Sequence, residues 1–173
     1  GETLAKVRRN AVRPPAAPLS LALWVGVIAG EPHSLDGLTA LLTSDDPALR
    51  TGAAYALRWL HPANPGVRTA LAQATAVEPP GTTPRAYLLG AALTVDADPA
   101  QTARWADQLD QILLNPTAAA GARFEASWTL KDRYTVAGLA RVAPLLELPA
   151  SENDTRIGAA TIILTTLARA KSR

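Results

Sequence analysis

The chain has 173 residues, 48% hydrophobic and 18% charged, with a net charge of +2 and no cysteine. That length suits one ordered domain with a shared core, and the missing thiols exclude disulfides, thiolate catalysis and cysteine-type zinc sites. A pI of 9.3 rests on a small excess of lysine and arginine over acid, short of the clustered positive charge that non-specific nucleic-acid binders carry.

Alanine and leucine dominate and aromatics are only 5%, a balance that favours helix over strand. Turn signals divide the chain into roughly ten short helices. The first covers residues 2–12 and closes at Arg13-Pro14-Pro15. Next comes an apolar run, residues 18–30, preceded by Lys6, Arg8, Arg9 and Arg13 in the manner of a signal peptide. The run is shorter than the roughly 20 residues a membrane span needs. It reads as a buried helix, residues 19–29 with Trp24 in the core, and otherwise as a helix facing a membrane or partner.

Ser34 is the expected N-cap of a helix over residues 35–42. Asp46 and Pro47 open another over residues 48–60. Further helices are expected over residues 66–77, 84–95, 100–114, 118–131, 135–147 and 154–170, each bounded by proline, glycine, asparagine or aspartate. No loop is long enough for a domain linker, so residues 1–173 read as one domain.

An arginine followed at +3, +4 and +7 by small or apolar residues recurs along the chain. The copies begin at Arg50, Arg85, Arg123 and Arg156, roughly 35 residues apart. Such a period implies one helix-pair unit used repeatedly, with stacked pairs sharing a continuous core. These four arginines are expected to be structural, bonding capping carboxylates and carbonyls along the stack.

The segment Asp46-Pro47-Ala48-Leu49-Arg50-Thr51-Gly52-Ala53-Ala54-Tyr55-Ala56-Leu57 resembles the second helix of a HEAT repeat, especially the short type found in bacteria. The copy at Asp154-Thr155-Arg156 keeps the pattern, whereas those at Arg85 and Arg123 lack the aspartate. The resemblance covers about residues 33–171, with residues 1–30 as a degenerate first pair or cap. It implies an all-α, right-handed α-solenoid of about five stacked antiparallel helix pairs.

In that arrangement the second helices line a concave groove. Register places Tyr55, Gly90, Trp128 and Thr161 five residues after each arginine, and Arg58, Leu93, Lys131 and Leu164 eight after. Trp59, Thr94, Asp132 and Thr165 follow at nine. Two copies therefore put aromatic rings and a cation on one ridge, the pairing favoured at interface hot spots, with Gly90 expected to leave a depression between them. The other expectation packs Trp59 into the turn at His61-Pro62 and Trp128 against the following helix.

A non-enzymatic protein- or peptide-binding scaffold is the first expectation, with Tyr55, Arg58, Trp59, Trp128, Lys131 and Asp132 as its groove residues. Nucleic-acid binding is the alternative. HEAT-like alkylpurine DNA glycosylases pair a tryptophan with a catalytic aspartate four residues on, and Trp128 and Asp132 have that spacing, with Arg133 adjacent. A third reading is a segment of a larger solenoid, with exposed apolar ends at Leu4/Val7 or Ile162/Leu167.

No metal or cofactor is expected. His33 and His61 lie far apart in proline-containing loops. Asp45/Asp46 and Asp96/Asp98 suit turns and caps, and Asp107/Asp110 suit a solvated face. A cytoplasmic setting is the first expectation for localisation, a cell-envelope or periplasmic one the second.

Overall fold

A computed structural model describes residues 16–172. The helix expected over residues 2–12, with Lys6, Arg8, Arg9, Arg13, Leu4 and Val7, lies outside the described residues. Among those described, every regular element is helical. The helices are α1 (Ala16–Ile28), α2 (Ser34–Ala40), α3 (Pro47–Leu60), α4 (Pro65–Val77), α5 (Thr83–Val95), α6 (Pro99–Leu114), α7 (Ala120–Leu130), α8 (Leu139–Val142) and α9 (Asn153–Lys171).

Local chemistry explains the starts of α3, α4, α5 and α6. The Asp46 carboxylate accepts the Ala48 N–H at 2.9 Å, with Pro47 as the first helical residue. Asn64 and Asp98 do the same for α4 and α6, accepting from Gly66 and Ala100 at 2.8 and 2.9 Å. Where α5 lacks an aspartate, the Thr82 hydroxyl takes the Arg85 N–H at 3.3 Å. Asp96 accepts the N–H of Asp98 at 3.0 Å, a turn role.

Three boundaries differ from expectation. Ser34 is not a cap: His33 holds that position at φ 65° with no side-chain bond, and Ser34 is buried against Gly26 of α1. The start of α7 moves to Ala120 because Asn115 folds a turn, accepting the N–H and hydroxyl of Thr117 at 2.9 and 2.8 Å. Residues 135–147 do not form one helix. Only α8 is helical there, flanked by 3-10 turns at Val136–Gly138 and Ala143–Glu147. Gly138 and Pro144 sit within those turns, and both disfavour a continuous helix.

The helices pack in two layers. One contains α1, α3, α5, α7 and α9, each packed against the next in that order. The other contains α2 on α1, α4 on α5, α6 between α5 and α7, and the Ala143–Glu147 turn on α9. Small residues permit the close approach. Ala53, Ala54, Ala126 and Ala159 are fully buried, and leucines 38, 42, 57, 71, 88, 89, 109 and 113 fill the space between layers. No described helix is long and apolar enough to cross a membrane.

Candidate functional site

Three of the repeat arginines brace the junction between consecutive helix pairs. Arg50 donates to the Ser44 and Asp45 carbonyls at 2.7 and 3.2 Å, and to both oxygens of the buried Glu78 carboxylate at 2.7 and 3.1 Å. Arg85 donates to the Thr75 and Glu78 carbonyls at the end of α4, and to Gln108 of α6 at 2.8 Å. Burial lowers its pKa, an effect that Glu78 opposes. Arg123, only 1% exposed, donates to the Leu113 carbonyl at 3.1 Å and the Glu152 carboxylate at 2.8 Å.

Each arginine thus holds carbonyls behind it and a glutamate or glutamine ahead of it. The carboxylates differ from those expected, because the capping aspartates bond helix N–H groups instead. Arg156 departs from the pattern: it makes no hydrogen bond or ion pair with any described residue.

A cleft of about 510 Å³ opens between α1, α3 and α5, lined by Ser20, Leu21, Trp24, Thr51, Tyr55 and Tyr87 among others. Tyr55 is its centre. The ring centroids of Trp24, Trp59 and Tyr87 lie 5.9, 6.1 and 6.2 Å from that of Tyr55, within the range for favourable edge-on aromatic contact. Tyr55 and Trp59 remain 41% and 54% exposed. Leu21, Val25 and Ile28 add an exposed apolar stripe along α1.

Trp24 is therefore not a core residue but a half-buried wall of the cleft. Neither its role nor that of Tyr87 is visible in register alone. In an all-apolar run no polar face marks which side a tryptophan takes, and Tyr87 faces back toward α3, off the expected ridge. Trp105, by contrast, is buried.

Arg58 is also displaced from the ridge. Its guanidinium turns inward and pairs with the Glu125 carboxylate of α7, at side-chain exposures of 15% and 5%. Glu125 further accepts from the Thr129 hydroxyl at 3.0 Å, and Tyr87 lies close enough to act on it electrostatically. Burial raises the Glu125 pKa, opposed by Arg58, Thr129 and Tyr87. Tyr87 is raised as well, by burial first and then by Glu125. Gly90 leaves no depression, because Thr129, Glu125 and Arg58 occupy the space above it at 3.1, 3.3 and 3.5 Å from where a Cβ would stand.

The second predicted cluster stays separate. Trp128 stacks on Phe124 at 6.5 Å, and the Lys131 ammonium lies 5.2 Å from its ring centroid. Lys131 also pairs with the Asp132 carboxylate at 3.3 Å. The Asp132 carbonyl accepts from Arg169, which also reaches the Tyr134 carbonyl at 2.9 Å. Asp132 thereby serves the turn that ends α7.

Asp110 is not on a solvated face. It accepts from the Tyr134 hydroxyl and Arg141, and burial followed by Asp110 pushes the Tyr134 pKa up. His33 and His61 both hold left-handed backbone, at φ 65° and 45°. Among the described residues no three His, Cys, Asp or Glu side chains gather where a metal could sit.

No family model, curated protein or solved structure matches this chain.

Proposed function

We propose that the helix layers form a right-handed, HEAT-like solenoid and that its concave face is a protein- or peptide-binding groove. The observation that carries this is the aromatic cleft. Tyr55 and Trp59 stay substantially exposed although each touches another ring, beside the uncovered Leu21, Val25 and Ile28. Contiguous exposed apolar surface of this kind marks interaction sites, and clefts lined by rings suit the buried anchors that dominate interface energetics.

The chemistry offers recognition by shape and apolar contact. An aliphatic or aromatic side chain of the partner enters between Trp24, Tyr55 and Tyr87, and Trp59 closes over it. Arg58 and Glu125 act beneath the cleft as support for Tyr87. Trp128 with Lys131 supplies a second, weaker contact further along the same layer.

Selection of peptides on the whole chain from a random library tests this. Selected peptides should lose at least about tenfold in affinity with Tyr55→Ala or Trp59→Ala, as truncated interface anchors do. Equal binding to both variants would reject the cleft. Two expected groove cations are already engaged, Arg58 by Glu125 and Lys131 by Asp132, which leaves little to neutralise phosphate. Salt-sensitive binding of duplex DNA, lost in Trp128→Ala/Lys131→Ala, is the result that would favour the nucleic-acid reading instead.

A further inference from the structure

The layer of α1, α3, α5, α7 and α9 ends at α9, and α9 exposes register positions that earlier helices cover more fully: eight after the arginine, Leu93 is buried and Arg58 and Lys131 are half-buried. Leu93 and Leu164 are the same residue, each eight after a repeat arginine. Leu93 is 4% exposed and Leu164 is 68% exposed. Four after the arginine, Ala54, Leu89 and Ser127 are fully buried, whereas Ala160 is only half-buried. Ile157 and Leu167 extend the uncovered apolar strip. Ile162, expected at an exposed end, instead points back into the core and is fully buried.

The arginine at this end is also unmatched. Arg50, Arg85 and Arg123 each reach forward to the next pair, to Glu78, Gln108 and Glu152 respectively. Arg156 has no such acceptor among the described residues. Part of the difference lies behind it, where Arg156 meets no carbonyl among the described residues of the kind that Ser44 and Asp45, Thr75 and Glu78, and Leu113 offer the other three. The forward acceptor is a separate matter, since in the three earlier copies it always comes from the following pair.

We infer that the open face of α9 docks a further antiparallel helix pair, one whose first helix carries a glutamate or glutamine in its C-terminal half or in the turn after it. The apolar strip supplies the contact area and Arg156 supplies the specificity, because an unpaired carboxylate brought to this junction finds its guanidinium there. The inference rests on the stacked-pair part of the proposed function and is independent of the cleft.

The chain's own second pair is the probe. Residues 61–95, containing α4, α5 and Glu78, are fused after Arg173 of the whole protein, and amide exchange is followed in both parts. The appended helices should exchange at least about tenfold more slowly than an unfolded chain. That protection should fall with Arg156→Ala, and likewise with Glu78→Ala in the appended copy, without further loss when the two are combined.

Appended helices that exchange at the unfolded rate, while α1–α9 keep their protection, would overturn the proposal. So would protection that ignores Arg156→Ala and Glu78→Ala alike. Sedimentation of the unfused protein decides against another occupant: a concentration-dependent dimer abolished by Leu164→Asp would assign this face to a second copy and overturn the helix-pair reading. Peptide binding at Tyr55 and Trp59 is unaffected by any of these outcomes.

Discussion

Arg58 and Glu125 form a largely buried ion pair although their helices, α3 and α7, have α5 between them. The pair passes over Gly90, where a Cβ would stand 3.3 Å from Glu125 Oε1 and 3.5 Å from Arg58 Nη1. A glycine within a helix ordinarily costs about 0.5–1 kcal/mol relative to alanine. Here its missing side chain is what lets three successive helices be tied together.

Replacing that glycine with a bulky residue should part the pair. Gly90→Leu is expected to lower stability by about 1–3 kcal/mol through overpacking, measured from the urea midpoint. A midpoint at or above that of the wild type would mean that the space above Gly90 is not occupied as described.

Removing one partner should cost more than removing both. Arg58→Ala leaves the Glu125 carboxylate buried without its cation, a change worth about 3–5 kcal/mol. The double variant Arg58→Met/Glu125→Met replaces both charges by apolar atoms and should recover most of that loss. If the double variant were as unstable as the sum of the single ones, packing rather than charge would govern the site.

Glu125 also sets a pH dependence with a definite sign. Burial raises its pKa above the ordinary 4.5 despite Arg58, Thr129 and Tyr87. The folded chain therefore holds this proton more tightly than the unfolded one. Its contribution is fully present below the unfolded pKa and is lost as pH rises through the folded one. Unfolding free energies across that window should decline with pH more steeply for wild type than for Glu125→Gln. Parallel curves would remove the assignment.

Legibility in the sequence follows the range of the interaction. Asp46, Asn64 and Asp98 cap their helices using atoms two residues away, so local chemistry suffices to find them. The repeat arginines are visible by spacing, yet their carboxylate partners Glu78 and Glu152 lie 28 and 29 residues on and carry no local mark. Tyr55, Trp59 and Trp128 are exposed, whereas register along one helix leaves the two tryptophans open to either surface or turn packing. Arg58 leaves that ridge for a partner two helices away. Trp24 and Tyr87 join the cleft only when α1 and α5 close on either side of α3, and no periodicity along one helix encodes that.

Adjacent alanines within the layer and at its α9 end should respond differently to enlargement. Ala53 and Ala54 are both fully buried, as is Ala159, so leucine at any of these should cost about 1–3 kcal/mol. Ala160 faces the uncovered side of α9, and Ala160→Leu should fall within about 0.5 kcal/mol of wild type, as surface changes usually do. Thermal melts of Ala159→Leu and Ala160→Leu give the comparison directly. Equal losses would mean that α9 is covered on both sides.

The same contrast holds for the arginines, and there it separates a brace from an open end. Arg123 is enclosed, with its guanidinium held by the Leu113 carbonyl and the Glu152 carboxylate. Arg123→Met removes both bonds and strands Glu152, which also accepts from the Thr155 hydroxyl at 3.1 Å. The expected loss is about 3 kcal/mol, toward the lower end for a broken buried pair because Glu152 is partly solvated. Arg156→Met removes no bond to a described residue and should change stability by less than about 0.5 kcal/mol. Chemical denaturation of the two variants measures the difference. Similar losses at both positions would mean that Arg156 already has an acceptor, and would take away the reason for bringing a further helix pair to α9.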